Sequence, residues 1–350
     1  MKIQTKPHSC FLCALKLKAL SFFIATLAIA ELSGCATTTR IQYLEPAQVE
    51  QAAKYKRVAV NAFKNDSVGL GGKIETKLSQ KNLENKAYFT VLNRQDFDKI
   101  LKEQKLQYSG LTNEKDVVKV GELIGAQAFI TGEVTSTSSQ DSRYLAERYE
   151  CLDKKCDKMR TYVVPCRKRT VSMSANVKII DIQTSSVVYS NSYTPAGHWS
   201  TCVDQARSLP SAETVWQRQA NQIAADFVSK LAPHYVYKNI ELLDDPDINY
   251  NDNEKQLLKG GIAFVEAHRM DKADQLFSQL VFQTQSLSYV AAYNLGVVKE
   301  ATGDYDEAKK LYTLADNLQK EPVDAINKAM NRIKEVIAQH QKATQQIEQP

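Results

Sequence analysis

The sequence predicts a mixed-sheet α/β (α+β) domain followed by an all-α domain of helical repeats. Up to about residue 190, short runs alternate apolar and polar residues, as half-buried strands do. Beyond the acidic turn at Asp244–Asp247 the alternation disappears and apolar residues recur at helical spacing. An internal repeat of 35 residues relates Gly261 to Gly296. We therefore predict two domains, at 57–235 and 254–338, joined by a linker at 236–253.

The order of the apolar runs defines the first domain. Helical segments separate the early strands, whereas the last three strands follow one another before a final helix. This order is typical of a mixed sheet covered by helices. The predicted strands are Val58–Ala62, Tyr88–Leu92, Ala128–Val134, Val171–Ile179 and Val187–Ser190, and the predicted helices are 73–81, 93–103, 112–124 and 212–231.

The second domain resembles tetratricopeptide repeats. Its second copy places the small residues Gly296, Ala308 and Ala315 where two antiparallel helices approach closely, and the first copy, around Gly261, is weaker. A helix that begins near Pro322 carries an apolar face and is expected to cap the stack. The glutamine-rich residues 339–350 are predicted to be a disordered tail.

The N-terminal residues predict export. Four lysines precede an apolar stretch of 12 residues, Ala19–Ala30, which is too short to span a bilayer and is typical of a secretory signal. The next segment, Leu32-Ser-Gly-Cys35, resembles the lipobox of bacterial lipoproteins. That resemblance implies a signal peptide at 1–34, lipidation of Cys35 and a lipid-anchored tether at 35–56. Ala36 after the cysteine implies the outer membrane, with the chain on its periplasmic face.

Composition argues against a nucleic-acid partner. Removing residues 1–34 takes away four lysines and one glutamate, so the formal net charge falls from +5 to +2. A body this close to neutrality lacks the basic excess of nucleic-acid-binding proteins. We expect a membrane contact through the lipid anchor and no nucleic acid.

Four cysteines remain after the predicted lipidation site. An even number in an oxidising compartment predicts two disulfide bonds, for which three pairings exist. Zinc is the alternative, because His198 lies close to the last cysteine, but the spacing Cys-x₄-Cys-x₉-Cys matches no common zinc motif. We therefore predict no metal. The four are Cys151, Cys156, Cys166 and Cys202, of which three lie in a polar, charged insertion at 135–170.

The loop Asn65–Gly72 is rich in glycine and precedes a lysine, which raises the question of a phosphate-binding loop. Ile74 follows Gly72-Lys73 where such a loop needs Ser or Thr, and the spacing of a dinucleotide fingerprint is absent. We expect a turn, with no nucleotide and no other cofactor. The sequence also lacks a Gly-x-Ser-x-Gly elbow and histidine pairs at metal-ligand spacing, so we predict that the protein is not an enzyme.

Three segments resemble the CsgG family of lipoproteins, named for the curli-secretion component, and its LpoB-like relatives. They are Val58–Phe63, Phe89–Gln104 and Val120–Val134. The resemblance implies a CsgG/LpoB-like α/β domain that is anchored in the outer membrane, faces the periplasm and has no catalytic residues to carry over.

The family contains both a pore and adaptors. Strands that cross a membrane would alternate apolar and polar residues over about 9–11 positions. Residues 136–160 show no such alternation, and we expect two disulfides to hinder their insertion as extended strands. We therefore predict a protein–protein adaptor or activator in envelope biogenesis, with an envelope or periplasmic partner. A component of a curli-like secretion or outer-membrane transport assembly is the alternative, and homo-oligomerisation stays open.

One surface of the insertion is a candidate contact patch. Arginine and tyrosine are enriched at protein interfaces, and four such residues occur within seven positions. An exposed loop stapled by cysteines is the alternative interpretation. The candidate residues are Arg143, Tyr144, Arg148 and Tyr149.

Overall fold

The computed structural model describes residues 37–92 and 125–349. Within these ranges the chain forms ten strands and eight helices. The strands are β1 Thr38–Glu45, β2 Arg57–Val60, β3 Asn82–Leu83, β4 Lys86–Ala87, β5 Thr90–Val91, β6 Ala128–Cys151, β7 Met159–Asp181, β8 Val187–Tyr193, β9 Ala196–Cys202 and β10 His234–Glu241. The helices are α1 Glu50–Ala53, α2 Leu70–Ser79, α3 Ala212–Ser229, α4 Asp252–Glu266, α5 Met270–Gln283, α6 Tyr289–Ala301, α7 Tyr305–Leu318 and α8 Asp324–Glu348.

Several predicted features lie outside the described residues. They are the signal peptide, the lipidation site Cys35 and the predicted helices at 93–103 and 112–124. Among the helices that the structure describes, none is long and apolar enough to span a membrane.

A mixed sheet forms the centre of the first domain, which confirms the predicted fold class. The strand order is β5-β2-β6-β7-β8, and β9 also pairs with β7. β2 runs parallel to β5 and β6, whereas β7 is antiparallel to β6, β8 and β9. The alternating residues of β7 from Val171 to Ile179 point into the core, where each is at most 2% exposed. Phe227 of α3 and Ile74 of α2 pack into the same core.

Residues 38–45 differ from the predicted polar tether, because they form β1. This strand pairs along its whole length with β10, which begins just before the predicted linker. Ile41 and Tyr43 of β1, together with Ile240 of β10, are buried in the core of the helical domain. Side chains at every second position of this ribbon cover the helices, while alternate positions such as Arg40 and Tyr237 are exposed. A two-stranded ribbon therefore lies where the sequence predicted a tether and the start of a linker.

The helical domain reproduces the repeat of 35 residues. Gly261 of α4 lies against the ring of Phe277 in α5, and Gly296 of α6 lies against the ring of Tyr312 in α7. In each pair the missing side chain leaves room for an aromatic ring of the neighbouring helix. The start of α8, including Ile326 and several other buried residues, packs on the end of this stack as predicted for a capping helix.

The structure corrects the predicted disordered tail at 339–350, because α8 continues to Glu348. Ala343 and Gln346 are buried, and the side-chain oxygen of Gln346 accepts a hydrogen bond of 2.8 Å from the backbone N–H of Ala47. Lys56 Nζ donates to the backbone carbonyl of Gln346 at 2.6 Å and so caps the helix end. These contacts with the segment that precedes β2 order residues whose composition alone indicates fraying.

The close approach at Gly261 gives a first testable prediction. We expect Gly261→Ala to lower the free energy of unfolding by about 1–3 kcal/mol, since a Cβ there would lie 2.5 Å from the Phe277 ring. Gly260→Ala is the matched control on the same helix, because its Cβ would meet only the flexible end of Leu276, at 3.1 Å. The higher helix propensity of alanine offsets that contact by about 0.5–1 kcal/mol. Chemical denaturation measures both variants, and equal losses would contradict this packing.

Candidate protein-binding arm

β6 and β7 continue together beyond the sheet as one antiparallel hairpin, which we call the arm (residues 135–170). Their register runs from Ser136–Ser174 to Cys151–Met159, after a bulge between Val134 and Ser136. The predicted insertion is therefore paired β-structure and not a stapled loop. The sequence hides the two strands because most arm side chains are exposed on both faces, which removes the alternation that marks a half-buried strand.

Both disulfide bonds lie in or beside the arm. Cys151 pairs with Cys156 across the turn at the tip, and Cys166 of β7 pairs with Cys202 of β9 at directly opposed positions. Neither bond interrupts the extended strands, because one closes a turn and the other joins neighbouring strands in register. That the two bonds would hinder insertion of these strands into a membrane stays a prediction. His198 of β9 lies opposite Thr170 of β7, and the nearby Cys202 is held in a disulfide bond.

One face of the arm carries an apolar band. Directly opposed residues of antiparallel strands point to the same side of the sheet. In the arm, odd-numbered residues of β6 lie opposite odd-numbered residues of β7, so all of these share the face of Val171. Large apolar side chains on this face are exposed: Leu145 to 66%, Tyr149 to 63% and Val163 to 56%. We define the apolar band as these three residues with Met159 and Val203, which are exposed to 58% and 76%.

The opposite face is partly covered. Val164 and the Cys166–Cys202 bond form a small buried cluster against which Ala146 packs. Arg148 Nε donates to a carboxylate oxygen of Asp204 at 2.8 Å, and this hydrogen bond lowers the pKa of Asp204. This pair links the arm to the segment after β9.

The predicted contact patch is divided between the two faces. Arg143 and Tyr149 lie on the face of the apolar band, whereas Tyr144 and Arg148 lie on the other. Neighbouring residues of a strand point to opposite sides, so a cluster in the sequence does not become a cluster on the surface. The apolar band has no signature in the sequence either, because its residues come from two strands and from the segment after β9.

A cavity of about 630 Å³ lies between the arm and the segment 203–211. Its floor is apolar and includes Leu145, Pro165 and Val203. The cavity is also lined by three arginines, Arg143, Arg167 and Arg207. We call this cavity the arginine pocket. All three are exposed, and in the described ranges none of them forms a salt bridge with a carboxylate.

Hydrogen bonds hold the segment 203–211 over the arm. The N–H of Val203 donates to the Pro165 carbonyl at 3.1 Å, and the Thr201 hydroxyl donates to the Arg207 carbonyl at 2.5 Å. Arg169 donates to the Pro210 carbonyl at 2.9 Å and binds both carboxylate oxygens of Asp141 at 2.7 Å. The hydrogen bonds from Arg169 lower the pKa of Asp141, and the charges of Arg169 and Arg167 add to this effect. The arginine pocket is thus built by the fold before any ligand arrives.

The glycine loop 65–72 forms a turn in which a carboxylate of the loop itself binds the first N–H groups of α2. Both carboxylate oxygens of Asp66 accept hydrogen bonds from the first turn of α2, from the N–H groups of Leu70 at 2.7 Å and Gly71 at 2.9 Å. A carboxylate therefore occupies the position that a phosphate takes at a helix N-terminus. Lys73 donates to the Val68 carbonyl at 2.9 Å, so it points back into the protein. Gly69, with φ of +69°, supplies the left-handed residue that the turn needs.

These features define a class of protein: an α/β domain with a rigid β-arm, attached through a ribbon to helical repeats. Residues 40–203 match the family model described as "Curli production assembly/transport component CsgG". The match covers just under half of the chain and includes most of β1, the central sheet and the whole arm. It confirms the resemblance drawn from the sequence.

Three solved structures are similar at low identity. The LpoB C-terminal domain from Salmonella enterica is 11% identical, covering 43% of this chain and 95% of that chain, with a TM-score of 0.26. The lipoprotein GNA1162 from Neisseria meningitidis is 14% identical over 48% of this chain and 96% of that chain, at 0.26. The PelC dodecamer from Paraburkholderia phytofirmans is 17% identical over 55% of this chain and 96% of that chain, at 0.24. No curated protein matches the sequence.

Proposed function

We propose that this protein is a lipid-anchored adaptor of the bacterial cell envelope, which faces the periplasm from the outer membrane and binds a protein partner through its arm. The apolar band is the observation that carries the proposal. It gathers four large exposed apolar side chains on one face of a paired hairpin, with Val203 of the neighbouring segment beside them. Contiguous exposed apolar surface is typical of an interaction site in a folded protein. The match to an assembly and transport family, together with the lipobox, supports the location.

The arm is suited to binding a protein without reorganising. Both of its strands are paired, a disulfide closes its tip, and a second disulfide ties its middle to β9. A preformed surface loses little conformational entropy when a partner binds, so more of the contact energy appears as affinity. Tyr149 and Met159 belong to residue types that are enriched at interfaces. In this proposal the protein acts by holding a partner and not by catalysis.

A component of a secretion or outer-membrane transport assembly is the second candidate. The description of the matching family favours it, since it names curli assembly and transport. In such an assembly copies of this chain would bind one another, and the arm would face a second copy instead of a different protein.

Site-specific photocrosslinking in living cells tests the proposal. We expect p-benzoylphenylalanine at Tyr149 to crosslink the protein to another envelope protein, because this side chain lies in the apolar band. Incorporation of p-benzoylphenylalanine in place of Phe282 is the matched control, since the Phe282 side chain is 83% exposed but belongs to the helical domain. The double change L145S/V163S should remove the crosslink from Tyr149 without altering the circular dichroism spectrum.

Each outcome of this experiment decides between the candidates. Crosslinks from Tyr149 to a second copy of the chain would favour the assembly candidate. Crosslinks only from Phe282, or none from the arm at normal expression, would overturn the proposal that the arm binds the partner.

A further inference from the structure

We infer that the arginine pocket binds an extended acidic peptide segment of the partner, one in which carboxylate side chains alternate with apolar ones. This inference rests on the proposed adaptor function and specifies the chemistry that the partner would present. It is carried by two properties of one cavity, its apolar floor and its three exposed arginines, none of which forms a salt bridge in the described part of the chain.

Charge is the first argument. The arm holds nine Lys and Arg against five Asp and Glu, an excess larger than the +2 of the whole chain without residues 1–34. Some of the arm's acids are already paired, Asp141 with Arg169 and Glu150 with Arg160. None of the pocket's arginines forms a salt bridge within the described residues, so their guanidinium groups remain available to a ligand here, although the charge of Arg167 also acts on Asp141. Complementary negative charge on a partner would speed its encounter with the arm and fix its register.

The residue type is the second argument. Arginine presents a planar fork of donors that matches a carboxylate in bidentate geometry, as Arg169 and Asp141 already show on this arm. Arginine is also less strongly hydrated than lysine, so less hydration free energy is lost when a partner covers its side chain. Lysines of the arm lie elsewhere, with Lys154, Lys155 and Lys158 at the tip.

The floor of the pocket decides between a peptide and a simple anion. Leu145, Pro165 and Val203 give an inorganic anion nothing to contact, whereas apolar side chains of a peptide would bury them. A volume of about 630 Å³ lies within the range of ligand sites and exceeds the need of one small anion. A membrane surface would meet the lysines at the tip first, whereas the pocket lies midway along the arm.

Fluorescence anisotropy with the purified, lipidated full-length protein in detergent micelles tests the inference. The probe is a fluorescein-labelled peptide, Gly-Leu-Glu-Leu-Asp-Leu-Glu, and its two controls replace either the acids by their amides or the leucines by serine. We expect saturable binding of the first peptide that weakens between 50 and 300 mM salt, and at least tenfold weaker binding of both controls. Arg143→Gln, Arg167→Gln and Arg207→Gln should each raise the Kd about tenfold.

Arg160→Gln is the matched control variant, because this exposed arginine belongs to the arm but not to the pocket. Equal binding of the amide peptide, an unchanged Kd in the triple variant R143Q/R167Q/R207Q, or binding only to vesicles with anionic lipids would overturn the inference. Crosslinking from Tyr149 separates this failure from failure of the proposed function. If the crosslink persists while no acidic peptide binds, the adaptor proposal stands and the pocket inference fails.

Discussion

Replacing Glu300 with alanine is expected to lower the free energy of unfolding by about 3–5 kcal/mol. This carboxylate is only 1% exposed. Its oxygens accept hydrogen bonds from Tyr43 at 2.9 Å, from Tyr312 at 2.5 Å and from two nitrogens of Arg332 at 2.8 and 2.9 Å. Without it, a guanidinium whose side chain is 12% exposed loses its counter-charge and two buried hydroxyls lose their acceptor.

The position of the network explains why the effect is large. Tyr43 comes from β1, Tyr312 from α7 and Arg332 from α8, and they meet at the C-terminal end of α6. Burial, and then the negative charge of Glu300, raise the pKa of Tyr43 and of Tyr312, so both hydroxyls stay protonated and donate. The carboxylate therefore joins the ribbon to three helices of the repeat domain.

Glu307→Ala is the matched control for this prediction. Glu307 pairs with Lys310 on the surface of α7, where the two side chains are 40% and 74% exposed. An exposed pair of this kind contributes less than about 1 kcal/mol. Urea denaturation of both variants gives the comparison. Equal losses for Glu300→Ala and Glu307→Ala would show that the buried network does not hold the ribbon in place.

Removing the Cys166–Cys202 bond with the double change C166A/C202A is expected to cost about 4 kcal/mol. The two cysteines are 36 residues apart, so the bond restricts a long loop in the unfolded chain. The Cys151–Cys156 bond closes only 5 residues, and the same relation gives about 2 kcal/mol for C151A/C156A. Both Cys166 and Cys202 are also buried, so alanine leaves a small void there.

Fluorescence of the two tryptophans reports this unfolding, because Trp199 lies in β9 and Trp216 donates to the carbonyl of Ser172 in β7. We also expect C166A/C202A to weaken binding of the acidic peptide, since the bond anchors the segment that forms one wall of the arginine pocket. The tip variant C151A/C156A should keep that binding. A larger stability loss in the tip variant would contradict the loop-length argument.

Much of the architecture could be predicted from local patterns. Alternation from Val171 to Ile179 identifies a core strand, because successive side chains of a strand point to opposite faces of the sheet. The repeat of Gly261 and Gly296 identifies paired helices, because each glycine accommodates a ring of the next helix. No local pattern identifies the ribbon at residues 38–45, because β10, the partner strand of β1, lies almost two hundred residues further along the chain.

The sequence by itself determined the fold class, the family resemblance and the number of cysteines available for disulfides, since these follow from period, motif and composition. Only the tertiary structure decided which cysteines pair, that the arm is a continuous hairpin, and that the C-terminal residues are ordered. It also brought Arg143, Arg167 and Arg207 to one cavity. Strand register and the path of the segment 203–211 place these three together, and both depend on contacts between residues far apart in the chain, which no local pattern encodes.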